Sequence, residues 1–476
     1  MRPFELFIVY AALFAVGWPA LFGVRSRRGI ASGLLFVAVI AQLQVEGYRY
    51  QMIPLYILSL GLAIGDIVFL ERTLTWPNRV FRGIIGTAGV ALAVALPFLL
   101  PVPELPVPSG PSSIGTAVIE LVDSSREEIY GANPGGPREL VVQVWYPATA
   151  DSTSEPAGIH PDWEVVGPAL SRSIGFPGWF LSHLQYSKSH TFSPAPIAAG
   201  SYPVIVYSHG WQGYRSIALN QIETLVSNGY IVIAPDHTYG SVVTRFSDGE
   251  VIYSDPAALP DEESVSTEDY EEATRSLVDV YADDITSILN SLDAGVGGVF
   301  GDYVESMDLT RIGLYGHSTG GGAAVKVCLL DERCDAVLGL DPWVEPFDDR
   351  VLATSALRPA MYIRSVEWQE KSNDAILRGI AERSENVAYW VGVEGTAHND
   401  FVMTPLFSPI ADDLGLRGPI PAGRIIPIVN QYLLGFFDVF LLGTGSASID
   451  NVLFDEVTLE IIGSVPATDT APEEDS

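Results

Sequence analysis

Residues 312–325, Ile-Gly-Leu-Tyr-Gly-His-Ser-Thr-Gly-Gly-Gly-Ala-Ala-Val, constrain the fold more than any other stretch of the chain. A short apolar strand runs into Gly-x-Ser-x-Gly and then into small residues suited to the first turn of a helix. A serine in that position sits on a sharp strand-to-helix turn with its hydroxyl outward, and the glycines keep neighbouring side chains from colliding there. The amino terminus of the helix beneath also favours negative charge developing above it. Further short runs with strand character lie at 140–146, 204–207, 231–234, 336–340, 361–363 and 387–393. Between them come helical periodicities, the clearest being Leu277, Tyr281, Ile285, Ile288 and Leu292. This alternation predicts an α/β domain, a mainly parallel sheet with helices on both faces. No internal repeat is visible.

Serine is a poor nucleophile at its ordinary pKa, so Ser318 needs a base, and the base needs an orienting carboxylate. In folds with this turn they follow in the order Ser, Asp/Glu, His. Of the seven histidines, His160, His183, His190, His209, His237, His317 and His398, only His398 comes after Ser318. It occupies Gly395-Thr396-Ala397-His398-Asn399-Asp400, a loop after the last predicted strand. Asp341 directly follows the 336–340 strand, and Pro342 fits a chain leaving the sheet. Its rivals Asp348, Asp349 and Asp374 follow no apolar run. The oxyanion formed on attack needs two backbone N–H donors: Thr319, after the nucleophile, and Trp211, in the loop after the 204–207 strand. His209 and His237 read as polar core residues near the site.

The charge is unevenly spread. Eight arginines and four carboxylates in residues 1–100 give +4, although the whole chain carries −32. A nucleic-acid partner is excluded, because phosphate binding draws on Lys/Arg clusters. Apolar runs at 6–24, 30–45, 52–70 and 84–102 read as four membrane spans. Arg25, Arg27 and Arg28 after the first run, and Arg72, Arg79 and Arg82 after the third, place those loops in the cytoplasm. Both termini and everything after residue 102 then lie outside it. Asp66, inside the third run, reads as an anchor reaching the headgroups. The expected organisation is a four-span anchor (1–102), a proline-rich spacer (103–115), a catalytic domain (116–445) and an extension with an acidic tail (446–476). The acidic stretch 255–272 reads as a solvated loop or helix start, and 425–442 as a helix packed on the sheet. Outside the cytoplasm, Cys328 and Cys334 can pair where the helix after the nucleophile ends.

These motifs resemble the plasma-type (group VII) platelet-activating factor acetylhydrolases, within the dienelactone-hydrolase-like α/β-hydrolases. The resemblance runs from about residue 118 to 443. It rests on Tyr207-Ser208-His209-Gly210-Trp211-Gln212-Gly213, Pro235-Asp236-His237, Gly316-His317-Ser318-Thr319-Gly320-Gly321 and Leu340-Asp341-Pro342-Trp343. It implies an α/β-hydrolase fold, the triad Ser318, Asp341 and His398, and oxyanion donors at Trp211 and Thr319. It also implies lid-like segments that meet substrate or lipid near Trp163, Phe176, Trp179 and Phe180. Trp343 and Trp179 are the candidate substrate-binding side chains. The expected activity is hydrolysis of carboxylic esters, with short-acyl or oxidised phospholipids as the substrate class, without metal or cofactor; the alternatives are a polyester or xenobiotic esterase and a hydrolase-like membrane protein that binds lipid or a partner without turnover. The four spans depart from the secreted pattern of the family and make this member a tethered one.

Overall fold

The computed structural model describes residues 1–22, 30–68, 75–132, 134–149, 155–369, 371–444, 449 and 454–463. They form two units. The first comprises Met1–Glu104 together with Leu181–Ser187 and Leu406–Ala411. Its helices are α1 (Pro3–Phe22), α2 (Ile30–Val45), α3 (Ile53–Val68) and α4 (Trp76–Leu99). By length and composition α1 and α4 can cross a bilayer; the apolar helical stretches between them are shorter. Ile8, Ala12, Leu35, Ala38, Leu55 and Ala93 meet in the interior of the bundle, and the small residues let the helices approach closely. Glu5 is buried there, and the Arg49 guanidinium bonds both its oxygens (2.7 and 2.8 Å) as well as the Leu100 carbonyl (2.8 Å). The loop residues Arg25, Arg27, Arg28 and Arg72, on which the orientation argument leans, and the Asp66 side chain lie outside the described residues.

The second unit is built on a sheet. Its strands are β1 (Ser113–Glu127), β2 (Pro137–Ala148), β3 (Pro156–Gly158), β4 (Lys188–Phe192), β5 (Tyr202–Ser208), β6 (Ile231–Asp236), β7 (Val243–Arg245), β8 (Val251–Tyr253), β9 (Met307–His317), β10 (Ala336–Leu340), β11 (Ala360–Ser365), β12 (Ala388–Val393) and β13 (Val457–Ile462). Eleven of them form one sheet in the order β13-β12-β11-β10-β9-β5-β6-β2-β1-β4-β3. From β6 through β12 every pairing is parallel. The helices are α5 (Trp163–Ser173), α6 (Leu219–Ser227), α7 (Thr267–Asp293), α8 (Ser318–Leu330), α9 (Asp349–Leu352), α10 (Ser372–Glu382), α11 (Thr404–Phe407) and α12 (Ala422–Phe440).

The central strands are buried on both faces, which is why they read as continuous apolar runs. Val204, Val206, Ile312 and Leu314 share one core with Leu277, Tyr281, Ile285 and Ile288 of α7. Residues of the opposite parity face the other side, where the Tyr315 ring meets Phe437 of α12. A Cβ on Gly313 would lie 2.5 Å from that Phe437 ring, so α12 packs on the sheet as its interrupted apolar pattern predicts.

Two expectations are corrected. The stretch 103–115 is not wholly a spacer: β1 begins at Ser113, and Gly110 and Ser112 donate their N–H groups to Ser227. Nor does the sheet of the catalytic domain end at residue 445, because β13 pairs antiparallel with β12 at its edge. Both were hidden because a strand that is polar along one face has weak hydropathy.

Candidate active site

Ser318 opens α8 directly after β9, with φ +56°. A non-glycine residue in that region is strained, and the strain is imposed by the abrupt passage from strand to helix. Close packing leaves no room for larger neighbours. A Cβ on Gly320 would lie 2.2 Å from the Ser208 carbonyl, and one on Gly210 would lie 2.9 Å from the Ser318 Cβ. The loop after β5 is thereby held against Ser318.

Asp341 follows β10 and is fully buried with φ +44°. One carboxylate oxygen accepts from Ser365 N–H (2.8 Å); the other accepts from the Ser365 hydroxyl (2.6 Å) and from His398 Nδ1 (3.0 Å). Because an ionised carboxylate only accepts, this arrangement fixes the His398 tautomer with its proton on Nδ1 and leaves Nε2 as the basic nitrogen. Burial pushes the Asp341 carboxyl up, and the Ser365 hydrogen bonds oppose that shift. Burial pushes His398 down to about 4, so its imidazole is neutral near pH 7. The rival Asp374 is paired with Arg364 (2.7 Å), and Asp348 caps α9 through Val351 N–H (2.8 Å).

His398 is held by several contacts. His398 N–H donates to Glu367 (2.9 Å), and its carbonyl accepts from His317 Nε2 (2.9 Å). The imidazole lies between the Trp368 ring, stacked at 4.6 Å, and the His317 ring at 4.3 Å. Asp400 ties the loop down by accepting from Ala397 N–H (2.8 Å) and Gly418 N–H (2.7 Å). The structure thus joins His398 to Asp341 directly and to the nucleophile through His317, the residue before Ser318. Among the described residues no hydrogen bond yet joins Ser318 Oγ to His398, a contact that often tightens only with substrate bound. Ser365, Glu367 and Trp368 went unnoticed in the sequence because no local pattern distinguishes them.

Beside the oxyanion loop lies a second polar cluster. Ser208, at the end of β5, bonds His237 Nε2 (2.8 Å), and His237 Nδ1 bonds Asp284 of α7 (2.9 Å). Arg138 grips Asp284 with two nitrogens (3.0 and 2.7 Å), and Arg126 adds a third contact (2.8 Å). Burial by itself would raise the Asp284 carboxyl; the Arg138 guanidinium outweighs it and holds the group far below the usual carboxylate range.

A family model for platelet-activating factor acetylhydrolase, isoform II, matches residues 138–442, a stretch containing the nucleophile turn, the acid, the base and the oxyanion loop. This chain belongs to that family. Among the family's relatives, the Arthroderma benhamiae protein named "Probable 1-alkyl-2-acetylglycerophosphocholine esterase" is 24% identical over 71% of this chain and 88% of its own length. The Cavia porcellus platelet-activating factor acetylhydrolase is 26% identical, over 52% of this chain and 59% of its own. A solved structure, the ferulic acid esterase from Streptomyces cinnamoneus, superposes with a TM-score of 0.61 at 26% identity, covering 75% of this chain and 99% of that one. The acetylhydrolase-family member described here is accordingly a carboxylic ester hydrolase on an α/β fold with a large, mostly parallel sheet.

In this family member Trp343 lies close to the nucleophile: its N–H donates to the Ser318 carbonyl (2.9 Å), and its own carbonyl closes over Gly322. Trp179 is 56% exposed in the turn after α5, and its assignment to substrate rests on the sequence alone. Cys328 and Cys334 are joined by a disulfide at the end of α8, with a Cα–Cα distance of 5.1 Å.

Proposed function

We propose that this chain is a serine esterase that works through an acyl-enzyme, with Ser318 as nucleophile, His398 as general base and acid, and Asp341 as the group that orients the imidazole. The observation that carries the reading is the Asp341–His398 hydrogen bond beside a strained, outward serine at the start of α8. Nε2 of His398 takes the Ser318 proton as Oγ attacks the ester carbonyl. The N–H groups of Trp211 and Thr319 receive the oxyanion, and the imidazolium returns the proton to the leaving alcohol. Water then repeats the sequence on the acyl-enzyme. The substrate class we favour is phospholipid with a short or oxidised acyl chain, supported by the names of the fungal and guinea-pig relatives. A second reading, an esterase of aromatic or polyester substrates, is favoured by the likeness to the ferulic acid esterase.

We further propose that α1 to α4 all cross a membrane and hold the catalytic unit outside the cytoplasm. Support comes from the apolar bundle, the arginine-bearing loops and the disulfide, which persists in oxidising compartments. Turnover of p-nitrophenyl acetate, p-nitrophenyl palmitate, methyl ferulate and short-acyl phosphatidylcholines, each compared with Ser318→Ala, tests the reading. Preference for the short-acyl phospholipid supports the first substrate class and preference for methyl ferulate the second. Activity unchanged in Ser318→Ala would remove both.

A further inference from the structure

The proposed function requires that the Trp211 N–H be aimed at the oxyanion, and the hydrogen bonds of the turn show what aims it. Gly210 C=O and Trp211 N–H belong to one peptide unit, which is planar and trans, so its oxygen and its hydrogen point in opposite directions. Whatever fixes the carbonyl fixes the amide. The Gly210 oxygen accepts from two donors: the Gly213 N–H (2.9 Å) and, at 2.7 Å, His209 Nδ1. A carbonyl can only accept, so His209 carries its proton on Nδ1. Its Nε2 must then accept, and two donors meet it there: the Ser241 hydroxyl (2.9 Å) and the His237 N–H (3.3 Å). His237 is held in turn by Ser208 and Asp284, and both imidazoles are fully buried. The rest of the turn is bonded elsewhere, with Gln212 N–H to Gly240 and Val242 N–H to Gly213.

We propose that His209 is a positioning residue for the oxyanion site: its Nδ1–H holds the Gly210 carbonyl away from the nucleophile and so presents the Trp211 N–H toward it. The Gly210 carbonyl on one side and the Ser241 hydroxyl and His237 main-chain N–H on the other set the His209 tautomer; the neighbouring Ser208–His237–Asp284 cluster is not a second reactive centre. This inference rests on the serine-esterase reading and deepens it. It is distinct from a packing role because it depends on one donor at one place.

Asn and Gln separate those roles. The Asn side-chain nitrogen falls where Nδ1 is, whereas that of Gln falls nearer Nε2. With the full-length protein in detergent and p-nitrophenyl acetate as probe, His209→Gln and His209→Ala should lose about 100- to 1,000-fold in kcat, the cost of one misaligned oxyanion donor, with KM changed by less than about threefold. His209→Asn should recover kcat to within about tenfold of the wild type. A His209→Gln enzyme with wild-type kcat would overturn the inference, as would a His209→Asn enzyme no better than His209→Gln at the same melting temperature. Should His209→Ala fail to fold, the Asn and Gln pair still decides. Wild-type protein that hydrolyses no ester would overturn the esterase reading and this inference with it, whereas an active wild type beside an unimpaired His209→Gln would overturn this inference alone.

Discussion

Ser318, His398 and Asp341 can be set beside Ser208, His237 and Asp284, a second serine, histidine and aspartate in the same unit. In the second set every side chain is sealed from solvent, Ser208 lies in ordinary strand backbone, and its carboxylate already faces Arg138 and Arg126. In the first set the serine is strained at a helix start, the histidine side chain is 22% exposed, and among the described residues the carboxylate bonds Ser365 and the imidazole alone. An imidazolium forming at His398 therefore meets a carboxylate that no cation has neutralised. At His237 it would form beside two guanidinium groups, with no route for a substrate. Residue types alone do not make a nucleophile; access and uncommitted charge do.

The largest effect separating the two sets should come from Ser318→Ala, which is expected to lower p-nitrophenyl acetate hydrolysis by roughly a thousandfold or more with little change in melting temperature. Ser208→Ala in the same assay should stay within about tenfold of wild type; a reversal of the two results would break the contrast. Asp341→Asn should cost about a hundredfold or more in kcat by loosening the imidazole, while Asp374→Asn, on the Arg364 ion pair, should stay within about threefold. Steady-state kinetics of both variants decides whether the acid is correctly assigned.

Asp284→Asn should act on stability more than on chemistry. It leaves Arg138 buried with a weakened partner and is expected to cost about 3 kcal/mol in urea unfolding. Unfolding at an unchanged midpoint would show that this ion cluster does not hold the domain.

The smallest expected effect is on pH. The proposed base, His398, works in its neutral form, and burial lowers its pKa, so the acid limb of kcat/KM should fall below the ordinary histidine value of about 6.5. A midpoint above 7 would show that the carboxylate, and not burial, controls the imidazole.

Much of this was legible along the chain. Periodicity revealed the central strands and α7, and the nucleophile turn announced itself through spacing. His398 stood out because no other histidine follows Ser318, and Asp341 because it ends an apolar strand. The outer strands were harder: β1 and β13 are polar on one side, so their assignment depends on the neighbours they pair with. The four apolar runs appear as four helices, of which α1 and α4 reach spanning length. That Leu181–Ser187 and Leu406–Ala411 group with these helices had no sequence signal.

By itself the sequence determined the candidate nucleophile turn, the α/β class and the apolar character of the first hundred residues, all of which depend on neighbours close along the chain. Only the tertiary structure decided that Ser365 holds Asp341, that Trp368 and His317 enclose His398, and that Arg138 meets Asp284 from 146 residues away. The Ser365–Asp341 contact is made where the parallel strands β10 and β11 end side by side and the Arg138–Asp284 contact where a strand meets a helix, and no local pattern records which side chains will meet there.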